Sequence, residues 1–331
     1  MNMVIRGARA HYPKKEGFSI NMFTQEELQQ IHFATLEVLW QEGVHVGSEE
    51  ALDIFEDGGA IVDRSSHVVR IHPYMVEEAI RSAPSTITLA GRNPKNDCVL
   101  EGSRVNFTTF GAGVKIVDAF TGELRNTTKA DVAGTALVAD YLDGVDVYSH
   151  AVSARDCPKS SVDLHEAEAF LTNTTKHCQH IDLTCGANAK KYIAMAAAIV
   201  GGMDELRKRP IISALTCPQS PLQLHRESCE IIIEFARAGI PVNVLSMAMS
   251  GATTPVTIAG TLVVHNAEVL TGIVLSQLTC KGAPVIYGSS TTTFDLQYAT
   301  APVGSPELGI CNAGVAALAQ FYLLPSYVAG T

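Results

Sequence analysis

PVNVLSMAMSGATTPVTIAGTLVVHNAEVLTGIVLSQLTCKGAPVIYGSS, running from Pro241 to Ser290, reads as strand, helix, strand. Its two ends, PVNVLSMAM and APVIYGSS, are apolar or small residues without strict alternation, as expected of strands covered on both faces. The middle, Val256 to Cys280, is long enough to span a membrane. It carries His265, Asn266, Glu268 and Gln277, which suits a buried core helix better. Strand, helix and strand with short connections are the signature of a parallel βα unit.

The same rhythm extends outward on both sides. VDVYSHAVS, HIDLTCG, PIISALTC and SYVAG are further strands of this kind, and helical patterns fall near 161–175, 187–206, 222–238, 256–281 and 307–323. Upstream, VNFTTFGAG adds a strand with glycines at its exit. VKIVDAFTGELRNTT reads as a hairpin turning at Thr121-Gly122. Thr128 and Asp131 box the start of a helix, TKADVAGTALVADYLDG. The count is seven strands and six helices, where an eight-fold (β/α) barrel needs one more strand and two more helices. An open doubly wound sheet could hold seven strands, but Gly111-Ala-Gly113-Val-Lys-Ile116 does not complete a G-x-G-x-x-G turn. The expected fold is therefore α/β: a (β/α)8 TIM-type barrel over 101–331, incomplete at its C-terminal end, with a hairpin insertion at about 114–127. Residues 1–100 are expected to form a helical region, with helices in TQEELQQIHFATLEVLWQEGV (capping box Thr24 and Glu27), SEEALDIFEDGGA and PYMVEEAIRSAP.

Composition narrows the partners. The 331 residues carry a net charge of -10, which argues against nucleic acid or an anionic membrane. Eight cysteines are scattered with no C-x-x-C pair, and MNMVIRGARAHYPKKEGF lacks an apolar leader, so reduced thiols in a cytoplasm are expected. Between Ala238 and Thr331 the only charged residues are Glu268, Lys281, Asp295 and Glu307. So apolar a region is expected to need cover from outside this chain, either more polypeptide or a subunit of a homo-oligomer.

Three stretches carry a family resemblance: MAMSGATTPVTIAGTLVVHNAEVLTGIVLSQLTCKGAPVIYGSS, APVGSPELGICNAGVAALAQFYLLPSYVAGT and ALTCPQSPLQL. Together they resemble the trimethylamine methyltransferase family, and the likeness runs over essentially the whole chain. The resemblance implies transfer of a methyl group from a methylamine, trimethylamine first, to the cobalt of a cognate corrinoid protein. The cofactor then rides on that partner and this chain binds none directly; no D-x-H-x-x-G corrinoid motif occurs here. In archaeal members a pyrrolysine, encoded by an in-frame amber codon, follows a stretch like Tyr327-Val-Ala-Gly-Thr331. The resemblance thus implies a pyrrolysine just after Thr331, a chain cut where amber was read as stop, and no activity for the cut chain alone. The rival readings are a glycine-betaine-type enzyme without pyrrolysine, and a non-catalytic fragment that only binds the corrinoid protein.

In a parallel barrel the chemistry sits at the carboxyl ends of the strands. Gly330 and Thr331 mark one such end. Gln219 and Ser220 follow PIISALTC, Ser250 ends the next strand region, and Ser289, Ser290 and Thr291 follow APVIYG. These polar groups either line the mouth or cap the next helix. Glu307 is either a first-turn carboxylate or a buried acid at the mouth. Tyr298 and Phe294 either meet a methylated ammonium with their rings or pack their loop. His177 and His180, in a strand, point to opposite faces, and no metal site is expected. His165 with Glu168, and His265 with Glu268, are i,i+3 pairs that read as local hydrogen bonds.

Overall fold

The computed structural model describes residues 21–329 and divides into two units, one of residues 87–215 and one that joins residues up to 86 with those from 216 onward. Gly330 and Thr331 lie outside the described residues.

The second unit opens the chain. Helix α1 (Gln25–Gln41) starts at the expected capping box: Glu27 N donates to Thr24 Oγ1 at 3.2 Å and Thr24 N to Glu27 Oε2 at 2.8 Å. Then come β1 (Val44–Val46), α2 (Glu49–Asp57), β2 (Ile61–Asp63), β3 (Val68–Arg70) and α3 (Pro73–Ser82), with β1, β3 and β2 antiparallel neighbours.

The first unit follows. β4 (Ile87–Leu89) pairs antiparallel with β5 (Cys98–Leu100), and β6 (Lys115–Val117) with β7 (Leu124–Asn126), a hairpin whose Gly122 takes φ +74°. α4 (Lys129–Tyr141) begins at the Thr128–Asp131 box. β8 (Val147–Ser149), α5 (Val162–Asn173), β9 (His177–His180), α6 (Gly186–Val200), α7 (Met203–Lys208) and β10 (Ile212–Thr216) complete the unit, with β8, β9 and β10 parallel. Two expectations change here. VNFTTFGAG is not a strand: it makes single parallel bridges, Thr108 to Val147 and Gly113 to Val152, with Gly111 and Ala112 between them at positive φ. The helix expected over 187–206 breaks at Gly201-Gly202, both at positive φ, which ends α6 and starts α7.

The chain then returns to the second unit with β11 (Gln223–Leu224), α8 (Arg226–Ala238), β12 (Val242–Ser246), β13 (Met249–Ser250), α9 (Ile258–Thr279), β14 (Val285–Ser289), β15 (Thr292–Thr293), α10 (Pro306–Phe321) and β16 (Ser326–Val328). The helix expected from 222 starts at Arg226 instead, since Gln223 and Leu224 are spent pairing with β1. β12, β14 and β16 run parallel, and so do the short β13 and β15 just beyond them. Among the described residues each unit thus supplies three parallel strands of the βα type. The architecture is α/β; a closed eight-stranded barrel is not shown.

α9 is long and apolar enough to cross a membrane, yet 72% of its most apolar stretch is buried. The expectation that something outside the chain must cover it is corrected. α1, α2, α3, α8 and α10 pack on it, and β12 and β14 lie against it. Its polar residues are absorbed as a soluble core would absorb them. Asn266 Nδ2 donates to Thr35 Oγ1 at 2.9 Å and to the Tyr322 hydroxyl at 2.8 Å, while its Oδ1 accepts from the Tyr287 hydroxyl at 2.7 Å. Gln277 donates to Ala283 O at 2.8 Å and accepts from Gly282 N at 2.8 Å.

Candidate functional site

The parallel strands of the second unit end in register. Ser246 of β12 lies beside Ser289 of β14, which lies beside Val328 of β16. Ser246 faces α9, where its hydroxyl donates to Glu268 Oε2 at 2.6 Å. The same carboxylate accepts from Ser220 Oγ at 2.8 Å and from Leu222 N at 3.0 Å. Burial raises the pKa of Glu268, and its three donors pull the other way. One side chain on α9 therefore pins both the end of β12 and the turn through Ser220, where Leu222 takes φ +54°.

One turn earlier on α9, His265 Nδ1 bonds the Thr291 hydroxyl at 2.8 Å. Burial pushes the His265 pKa down to about 3, so the ring is neutral. Thr291 Oγ1 also accepts from Ala248 N at 3.3 Å, and Thr291 N donates to Ser289 Oγ at 3.0 Å. His265 and Glu268 thus do not bond each other. Each reaches across to a different strand-end loop, which corrects the local pairing expected from their spacing.

β16 is held at its exit. Ala329 N donates to Ser289 O at 2.8 Å, and Asn312 Nδ2 of α10 donates to Ala329 O at 2.6 Å. The backbone just before Gly330 is therefore clamped on both sides.

The opposite face of these strands carries a group that sequence reasoning missed. Val244 meets α9, because a Cβ on Gly272 would stand 2.7 Å from its Cγ1; Asn243 then points the other way. Its carboxamide lies over Gly288, where a Cβ would come 2.1 Å from Asn243 Oδ1. Both polar atoms of the amide are buried and have no hydrogen-bond partner among the described residues. The signal was present in VNVLS, one amide inside an apolar parallel strand, beside a glycine in APVIYG.

The other expected residues scatter. Ser289 is buried at the strand ends, and the half-buried Ser290 donates its N–H to Ser246 O at 2.9 Å. Ser250 is buried in β13, its hydroxyl donating to Val256 O at 2.9 Å, where it closes a turn. Gln219 is exposed and hydrogen-bonds His225. Tyr298 is 71% exposed, on a loop whose Asp295 accepts its N–H at 3.0 Å. Glu307 is exposed in the first turn of α10, behind an N-cap in which Ser305 Oγ accepts from Leu308 N at 3.3 Å. In the first unit His165 and Glu168 both turn to Lys129. His177 is satisfied by Ser213 Oγ at 2.8 Å and Pro210 O at 3.0 Å.

Comparison with known proteins decides what scaffold this is. A family model described as trimethylamine methyltransferase (MTTB) matches residues 4–331. The chain belongs to the trimethylamine methyltransferase family. Within that family it is 56% identical over 322 residues to trimethylamine methyltransferase MttB of Desulfitobacterium hafniense (strain DSM 10664 / DCB-2), covering 97% of this chain and 65% of the relative. It is 49% identical over 334 residues to MttB of Methanosarcina barkeri, covering 99% and 67%. Glycine betaine methyltransferase of Desulfitobacterium hafniense (strain Y51) is more distant, at 31% over 311 residues, covering 94% and 64%. The chain thus spans about two-thirds of the length of the curated family members it matches. In fold it is similar to the crystal structure of Methanosarcina barkeri monomethylamine methyltransferase (MtmB), with a TM-score of 0.58 at 12% identity, covering 92% of this chain and 67% of that one.

Proposed function

We propose that the protein takes a methyl group from trimethylamine and passes it to the cobalt of a corrinoid carried by a separate protein, leaving dimethylamine. The observation that carries this reading is a contrast: 56% identity to a relative named for trimethylamine against 31% to one named for glycine betaine.

The chemistry belongs at the carboxyl ends of β12, β14 and β16, where parallel βα proteins hold their reacting groups. A methyl group does not leave a neutral amine readily, because the departing group would be a nitrogen anion. The nitrogen must carry positive charge first. The docked corrinoid protein would supply the nucleophilic cobalt. This chain's own residues do the positioning. Ser289 and Asn312 hold the Ala329 backbone at the exit of β16. Glu268 and His265 fix the turns at Ser220 and Thr291 that border the same strand ends. A cytoplasmic setting fits the eight free cysteines.

The test is a transfer assay on the purified protein with a reduced corrinoid carrier, offering trimethylamine or glycine betaine. Dimethylamine and methyl-cobalt should form in equal amounts from trimethylamine, with none from betaine. Preference for betaine, or carrier binding without transfer from either compound, would overturn the reading.

A further inference from the structure

Three side chains at the strand ends of the first unit are unused by everything above. His150 follows β8, His180 ends β9, and Glu166 lies on α5, the helix between those strands. They are 0%, 0% and 1% exposed, and their ligand-type atoms lie within 4.8 Å of one another. His150 Nε2 stands 3.7 Å from Glu166 Oε2, too far for a hydrogen bond. Neither ring nitrogen of His150 has a hydrogen-bond partner among the described residues, and nor has Glu166 Oε2. A core that leaves a carboxylate oxygen and a whole imidazole unpaired is destabilised unless something occupies the space between them.

The surroundings favour a cation there. The charges acting on Glu166 are those of Asp182 and Asp163, both negative. His180 Nε2 donates to Asp163 O at 2.8 Å, the kind of outer carbonyl contact that orients a ligating histidine. Its Nδ1 is left as the lone pair, engaged by Asp182 N at 3.2 Å, a contact that a metal would replace. Glu166 Oε1 accepts from Ala154 N at 2.6 Å, which fixes the carboxylate and leaves Oε2 for a ligand.

We propose that His150, Glu166 and His180 bind a zinc-class divalent cation, which ties the end of β8, the Ala154 loop, α5 and the end of β9 together. Two neutral imidazoles and one carboxylate suit zinc, cobalt or iron(II). Magnesium and calcium prefer shells made of oxygen alone. On a tetrahedral ion with bonds of about 2.0–2.1 Å, ligand atoms stand roughly 3.3 Å apart, so modest side-chain rotations close the site. A water takes the fourth position.

The experiment is elemental analysis of the purified protein, followed by cobalt(II) reconstitution after chelation. About one zinc-class ion per chain is expected, and cobalt should give the intense visible bands of a tetrahedral nitrogen–oxygen site without thiolate charge transfer. Glu166→Gln should weaken cobalt binding by at least about a hundredfold, with the far-ultraviolet dichroism unchanged. Should that variant fail to fold, X-ray absorption on the unmutated protein decides by showing imidazole and carboxylate ligation. Absence of stoichiometric metal together with absence of cobalt bands would overturn the proposal and leave a buried water in the cluster. Sulfur ligation, or unchanged affinity in a folded Glu166→Gln, would overturn it as well.

Discussion

Two glutamates, one in each unit, are buried to the same extent, 1% exposed, and burial raises the pKa of both, that of Glu166 to about 7. Their surroundings differ. Glu268 accepts hydrogen bonds from Ser220, Ser246 and Leu222 N, while Glu166 accepts one, from Ala154 N. The cost of taking a carboxylate out of water is similar in the two places, and what offsets it is not. Glu268 is already paired with backbone and hydroxyl donors, so it acts as a clamp on the strand ends. Glu166 keeps one oxygen bare beside an equally bare imidazole, which is how a site for an added ligand looks before the ligand is counted.

The largest expected effect tests that difference directly. Glu268→Ala leaves three donors unpaired and a hole in the core, and should cost on the order of 3–4 kcal/mol in urea unfolding. Glu166→Ala, measured on chelated protein, leaves a similar hole but deprives a single N–H, and should cost about 1–2 kcal/mol less. Equal losses would break the comparison. The same contrast has a pH signature. The folded chain holds the Glu268 proton more tightly than the unfolded chain, where the ordinary value is 4.5. The contribution to stability is thus full below that value and is lost as pH rises through the higher folded one. Glu268→Gln cannot titrate, so its urea midpoint should fall less than that of the unmutated protein between about pH 4 and about pH 8.

The next effect concerns Asn243, the other unpaired group. Gly288→Ala drives a methyl group into its carboxamide and should cost about 2 kcal/mol. The same change in an Asn243→Ala background should cost less, though not nothing, because Val244 O would still lie 2.9 Å from the new Cβ. A double-mutant cycle on urea midpoints measures the coupling, and strict additivity would show that the amide does not sit over the glycine. The smallest effect belongs to a half-buried acid at the start of α4. Asp131 accepts from Thr128 N at 2.8 Å and pairs with Arg125 at 2.7 Å. Asp131→Ala should cost about 1 kcal/mol, read as a small drop in thermal midpoint.

Much of the scaffold was legible because it is written locally. Thr24 with Glu27 and Thr128 with Asp131 cap the helices their spacing suggests, and the apolar runs at Val242 and Val285 are parallel strands. Breaks in the rhythm were harder to see. Gly111 and Ala112, both at positive φ, interrupt a segment that composition alone made a strand. The cover over α9 was misjudged because α1–α3 lie some two hundred residues away in sequence. Glu268 looked like a partner for His265 because helical spacing shows which side chains are neighbours, not which loops a core will bring to them. The His150, Glu166 and His180 cluster follows the length of one βα unit: a strand-end residue, a residue on the next helix and the end of the following strand. No short motif has that spacing, and a search for histidines at successive strand ends would have found it.

The central claim is that the carboxyl ends of β12, β14 and β16 are where a methylated amine is handled. The most direct measurement is a crystal structure of the protein with tetramethylammonium, which has the shape and charge of an activated trimethylamine but presents no lone pair to react. The account predicts the cation beside the row Ser246, Ser289 and Val328, within reach of the backbone that Asn312 clamps. A cation seated at the amino ends of these strands, or only in the other unit, would contradict it.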